Sequence, residues 1–221
     1  IIAANPDLDV GVHLVLARDD APGNLYRPLT PAEKVRNLII DGGWFTTDMN
    51  RAIASATKSE IELELTAQVA AAAENRVDIT HLDCHKGFYH TYDRKSLEVT
   101  LALAARYDVP IRWTGSPADR AIAKIGLVVP DRTFMISMNT EHEAKKQQIL
   151  KGIQTLKPGI TEMVLHPATG GYEPEEAAAR QSELRIALDP DIRKAITDNG
   201  ICLIGYKTLR DFQREMRKKK D

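Results

Sequence analysis

Apolar residues alternate with small or polar ones from Asp9 to Leu16. Val10, Val12, Leu14 and Leu16 share one face, and Gly11, His13 and Val15 share the other. A period of two predicts a β-strand that carries His13 among small or apolar neighbours. From about 17 to 56 the periodicity fades, and Pro22, Gly23, Pro28, Pro31, Gly42 and Gly43 predict a long loop with one short helix from Pro31 to Ile39. Thr57-Lys58-Ser59-Glu60 then has the form of a capping box. Ile61, Leu65, Val69 and Ala72 or Ala73 follow at helical spacing until Asn75, which predicts a helix of about five turns.

The alternation of periods continues along the chain. Ile79 to Cys84 reads as a second strand, Lys95 to Tyr107 as a helix, and Val109 to Trp113 as a third strand. Helices are expected near Pro117 to Lys124 and from Glu141 to Leu156, a strand from Thr161 to Leu165, helices from Pro174 to Leu188 and Pro190 to Asn199, and a strand from Ile201 to Ile204. The basic, amphipathic tail from Arg210 to Lys220 reads as a solvated terminus. Strands alternating with helices imply βα units and a parallel sheet, in one α/β domain spanning residues 1–221, either as an open sheet or as a closed barrel.

Composition narrows the function. Lys plus Arg number 30 against 31 Asp plus Glu, a net charge of −1, so no overall field recruits nucleic acid or anionic lipid. No apolar run approaches the ~20 residues of a membrane helix. Cys84 and Cys202 lie far apart in apolar stretches and read as buried thiols of a reducing, cytoplasmic compartment rather than as a disulfide. Walker, Rossmann and G-x-S-x-G motifs are absent from the sequence, so nucleotide cofactors and a serine nucleophile have no support. Cys84 sits in a strand, which disfavours a cysteine nucleophile.

The candidate chemistry is histidine chemistry. His13, His81, Asp83, His85, His90 and His166 fall in or just after predicted strands, where α/β folds place their ligands. Period two puts His81, Asp83 and His85 on one side of their strand and its exit. Imidazole with carboxylate suits zinc, iron, manganese or a similar divalent ion, and water activated at such a centre makes a hydrolase. The competing reading is that each histidine is an ordinary hydrogen-bonded core or surface residue. His166 ends a strand before the turn at Pro167, Gly170 and Gly171, a position suited to a general acid. His142, between Glu141 and Glu143, is explained by solvation at a helix start. Trp44 and its aromatic fellows Phe45, Phe88, Tyr89 and Trp113 lie in or near these loops, able to stack on a sugar ring or simply to pack.

Four blocks carry a resemblance: Asn5-Pro6-Asp7-Leu8-Asp9-Val10-Gly11-Val12-His13-Leu14, Thr80-His81-Leu82-Asp83-Cys84-His85, Pro110-Ile111-Arg112 and Glu162-Met163-Val164-Leu165-His166-Pro167. In this order and spacing the chain resembles the YdjC-like carbohydrate deacetylase family. The resemblance implies a distorted, TIM-barrel-like (β/α) barrel that binds magnesium or zinc and removes acetyl groups from N-acetylated sugars such as chitooligosaccharides. It gives His13 and His85 as metal ligands and, as the catalytic residues, His166 as an acid or substrate-contacting histidine and Asp83 as a supporting carboxylate. Arg112 is read as a substrate contact or as a salt bridge to a barrel carboxylate, His90 as a further substrate contact after the Asp83-Cys84-His85 block, and Trp44, from its aromatic face alone, as a third. The family opens with an Asp-Asp pair on its first strand, and this chain, which begins at Ile1 without Met, has no matching segment. The expectation is therefore a barrel missing its first strand. Asp19-Asp20 follows the Gly11-Val12-His13-Leu14 strand, in the wrong order to stand for that pair. A noncatalytic sugar-binding or assembly protein of the same fold is the alternative, and association into a homo-oligomer is open.

Overall fold

The computed structural model describes residues 2–19, 25–91, 93–113, 122, 125–136, 141–170 and 173–219, the side chains of 3, 90 and 91 apart. The chain folds into two units, Ile1–Val129 with Gly205–Asp221, and Pro130–Ile204.

The first unit is built on β1 (Val10–Leu14), a hairpin of β2 (Ile39–Ile40) and β3 (Trp44–Phe45), α1 (Met49–Ser55), α2 (Lys58–Glu74), β4 (Ile79–Cys84), α3 (Phe88–Thr91) and α4 (Arg94–Tyr107). β1 and β4 pair in parallel, with Val12 opposite Leu82, His13 opposite Asp83 and Leu14 opposite Cys84. The expected third strand is reduced to one parallel bridge from Leu82 to Ile111, closed by hydrogen bonds from Leu82 N–H to the Pro110 carbonyl and from Arg112 N–H to the Leu82 carbonyl. Helices α2 and α4 pack on one another, and Leu14, Leu65, Val69, Leu82, Val99, Leu103 and Ile111 form a common core. That burial is the main source of stability here. The capping box of α2 is present: Thr57 Oγ1 accepts from Glu60 N–H, and the Glu60 carboxylate accepts from Thr57 N–H.

The predicted long loop is more structured than its composition suggests. It holds the β2–β3 hairpin and α1, and two 3-10 turns, Ala32–Lys34 and Arg36–Leu38, replace the single short helix. The helix expected from Pro117 to Lys124 lies outside the described residues, apart from the buried Ile122.

The second unit pairs β5 (Arg132–Met135) in parallel with β6 (Thr161–Val164), the crossover being α5 (His142–Gln154); α6 (Pro174–Ala187) and α7 (Pro190–Asp198) follow. Its core is Ile136, Ile149, Ile153, Ile186 and Ile192. Strand β5 was not expected from the sequence. The strand expected from Ile201 to Ile204 is irregular chain instead, with Leu203 and Ile204 exposed. Cys202 lies in that stretch and is exposed too, a correction to its reading as a buried thiol; Cys84 is buried.

The chain then returns to the first unit as α8 (Tyr206–Lys218). This is the segment read as a solvated tail, yet Arg210 and Gln213 are 4% and 1% exposed. Gln213, Arg214 and Arg217 hold Asp108, the residue that ends α4 in a left-handed conformation with φ 51°. The long aliphatic stems and forked donors of arginine allow this role, which charge counting alone does not reveal. Among the described residues no helix is long and apolar enough to cross a membrane.

Candidate active site

The register of β1 on β4 sets His13 beside Asp83 at the exits of two parallel strands. The two residues face each other because parallel pairing keeps equivalent pleats on one side of the sheet. His13 Nδ1 lies 2.8 Å from Asp83 Oδ1, and Arg112 Nη1 lies 2.9 Å from Asp83 Oδ2. Arg112 reaches the carboxylate because the Ile111 bridge brings its backbone alongside β4, and the buried Tyr89 hydroxyl donates to the Arg112 carbonyl at 3.0 Å. Burial pushes the Asp83 carboxyl up, but the hydrogen bond from His13 and the charges of His13 and Arg112 outweigh it and hold the pKa below the ordinary value. Asp83 thus faces the Nδ1 edge of His13 and leaves its Nε2 edge turned away from the carboxylate.

His85 follows β4 directly, in the 3-10 turn His85–Gly87. Its Nε2 lies 3.0 Å from Asp19 Oδ1, and its ring meets that of His13 edge-on with 5.6 Å between centroids. Burial pushes the His85 imidazole below its ordinary pKa, against the pull of Asp19. Lys86 has φ 55°, a left-handed conformation costing of order 1 kcal/mol for a residue with a Cβ. In that conformation its Nζ sits 3.2 Å from Asp19 Oδ1 and donates to the Arg18 carbonyl. Burial raises the Asp19 pKa, and His85 and Lys86 together outweigh that and lower it. A second imidazole is thus held by a second carboxylate.

His81 takes no part in this array. Its ring stacks on Tyr206 at 4.0 Å, accepts or donates at Thr80 Oγ1, and lies so close over Gly11 that a Cβ there would collide with it. Gly11 sits where the β1–β4 register shifts, and glycine is what admits the ring. Burial brings the His81 pKa down to about 4, so it is neutral at pH 7. Cys84 is likewise inert, its thiol pushed up to about 12 by burial.

The remaining expected residues lie elsewhere. Trp44 sits in β3 with the Arg27 guanidinium 4.1 Å above its ring, so one aromatic face is occupied. His90 belongs to α3, and its side chain lies outside the described residues. His166 belongs to the second unit, just past β6, where its backbone N–H donates to Glu183. His142 bonds Ser182 Oγ through Nδ1 at 3.0 Å, tying α5 to α6 rather than facing only solvent. An open cavity of about 310 Å³ beside the hairpin is lined by Arg36, Ile39, Ile40, Asp41 and Arg51, none of them an expected site residue.

Sequence reasoning missed Asp19. Its place in the chain order argued against it, yet the segment after β1 brings it to His85; the only signal was an acidic pair directly after a strand exit. As a donor set for a divalent ion, the described residues offer His13 Nε2 and the nitrogen of His85 not facing Asp19. Each is backed by a carboxylate, the arrangement that fixes metal-binding imidazoles. No group of three His, Cys, Asp or Glu ligands is gathered among the described residues. The chemistry of the donors fits such an ion, and their number supplies part of its shell.

Comparisons with known proteins give the family to which the chain is similar. A family model described as YdjC-like protein matches residues 1–198. A carbohydrate deacetylase of Thermoanaerobacter pseudethanolicus is 31% identical over 214 residues, covering 93% of this chain and 79% of that protein. One of Enterococcus faecalis is 26% identical over 225 residues, covering 92% and 78%. Among solved structures, one from Enterococcus faecalis V583 assigned to cellobiose-phosphate cleavage superposes with a TM-score of 0.77 at 24% identity, covering 94% of this chain and 80% of that one. The mixed α/β fold is therefore shared with it.

Proposed function

Because the chain belongs to the YdjC-like protein family, we propose that it is a metal-dependent carbohydrate deacetylase acting on an N-acetylated sugar or oligosaccharide of the chitooligosaccharide kind. The observation that carries this reading is the pair of carboxylate-backed imidazoles, His13 on Asp83 and His85 on Asp19, at adjacent strand exits. The names of the deacetylase relatives support the substrate class. The parallel βα units are read as parts of the family's distorted barrel, and the compartment as the cytoplasm.

His13 and His85 would hold the ion, and two nitrogen donors suit zinc better than magnesium, which prefers oxygen. The chemistry such an ion supplies is Lewis acidity toward water and toward an amide carbonyl. Asp83 would hold His13 in one tautomer, and Arg112, paired with Asp83, would support that carboxylate and contact the substrate. Asp19 does for His85 what Asp83 does for His13. His166 takes the role of proton donor to the leaving amine, and Trp44 and His90 that of sugar contacts.

The test is metal content and acetate release measured together on N-acetylglucosamine oligomers. Release that needs an added divalent ion and disappears in H85A supports the reading; release that persists in a chelator overturns it. A second reading, set by the two nitrogen donors that the described residues bring together, is a noncatalytic sugar-binding protein. Oligosaccharide binding without metal or acetate would decide for it.

A further inference from the structure

The second unit buries a pair of opposite charges. Lys145 of α5 and Glu183 of α6 are 0% and 1% exposed, and Lys145 Nζ lies 3.2 Å from Glu183 Oε1. Taking two ions out of water costs several kcal/mol each, and apolar side chains of similar volume would serve stability as well or better. What the pair does supply is a carboxylate that cannot turn. Lys145 holds one oxygen, and the Lys145 ammonium is held in turn near the Ala179 carbonyl at 3.5 Å.

The other oxygen, Oε2, accepts the backbone N–H of His166 at 2.5 Å and stands 4.0 Å from its Nδ1. One turn earlier on α6, Arg180 donates to the His166 carbonyl at 3.4 Å and accepts from Ala168 N–H at 3.4 Å through its own carbonyl. Gln181 Nε2 donates to the Thr169 carbonyl at 3.2 Å. The exit of β6 is thereby fastened to α6 along 166–169, while the His166 side chain is left 43% exposed. The backbone is fixed, the imidazole projects, and its Nδ1 edge faces an immobile carboxylate.

We propose that Glu183, locked by Lys145, is the positioning residue of His166. It fixes where the imidazole stands and which ring nitrogen faces outward. The inference rests on the reading of His166 as the proton donor, and it extends that reading to two residues that need touch no substrate.

The test replaces both charges at matched volume, K145M with E183L, which keeps the packing between α5 and α6. The expected result is a cooperative unfolding transition whose midpoint falls only by what the lost His166 N–H bond is worth, a kcat about 10–100-fold lower, and a KM within about twofold of wild type. In an H166A background the double change should cost nothing more, because both act through one imidazole. Wild-type kcat in the double variant, or losses that multiply with H166A, overturn the proposal. Should the double variant unfold, E183Q, which keeps the side-chain shape and an acceptor for the His166 N–H, is judged by the same kcat, KM and H166A criteria. The ¹⁵N shifts of the His166 ring in histidine-labelled protein are read alongside. A change of tautomer balance on substitution supports positioning, and an unchanged ring overturns it. If wild type releases no acetate, the deacetylase reading fails, and the ring shifts still decide the positioning.

Discussion

Asp83 is the residue on which most of the candidate site converges, since His13 and Arg112 both end on its carboxylate. In D83N the shape survives, but the amide no longer dictates the His13 tautomer and Arg112 loses its counter-charge. We expect kcat for acetate release to fall about 10–100-fold, the range for residues that orient a ligand imidazole. Activity within twofold of wild type would remove Asp83 from the mechanism. Two positions before His13, Gly11 is needed for a different reason. Its missing side chain is the space occupied by the His81 ring, which Tyr206 backs from the other side. G11A should cost about 1–3 kcal/mol through overpacking, read as a lower denaturation midpoint, and His81→Ala in the same chain should recover part of it.

At the scale of the element, α2 ties its start to the 3-10 turn Arg36–Leu38 through Glu60. Burial raises the Glu60 pKa, but hydrogen bonds from Asn37 and Thr57 outweigh it and bring it down to about 2, against 4.5 unperturbed. A carboxyl lowered on folding stabilises fully above its unfolded pKa and loses that contribution as pH falls from about 4.5 to about 2. Acid unfolding of wild type should therefore steepen in this window. T57A should lose about 1 kcal/mol at neutral pH and soften the acid step, and an unaltered acid limb in T57A would argue against the capping box as its source. This helix was legible because the capping box and the 3.6-residue period lie within one short stretch. β1 and β4 were legible from their own period of two, which set His13 and Asp83 at strand ends; that the two strands pair, and His13 with Asp83, was not, because register joins positions 70 residues apart. β5 was not, because Arg132–Met135 is four residues long and half exposed, too short to display a period. The apolar run from Ile201 to Ile204 misled in the opposite sense, since an apolar run predicts a strand only where a partner exists. Asp19 was illegible because its contact with His85 spans 66 residues of chain and depends on where a loop returns.

For the whole molecule, the decisive feature is that the first unit is discontinuous, completed by α8 after the second unit has been traversed. Arg210 carries much of that closure, pairing with Asp78 and donating to the Ile79 carbonyl at the start of β4. Both tryptophans, Trp44 and Trp113, belong to the first unit, so tryptophan fluorescence, excited where tyrosine does not absorb, reports on that unit. R210M should lower its stability by about 2 kcal/mol, the scale of a charged hydrogen bond lost from a buried site. A fluorescence-detected denaturation curve superimposable on wild type would show α8 to be an ornament. The same discontinuity sets an order of events at the ribosome. β1 and β4 emerge early, but the helix that covers the foot of β4 follows residues 130–204, which at about 5–20 residues per second take roughly 4–15 s to synthesise. Through that interval the nascent first unit is an unfinished sheet, a natural client for a chaperone, while the second unit, continuous in sequence, waits for no later segment of its own.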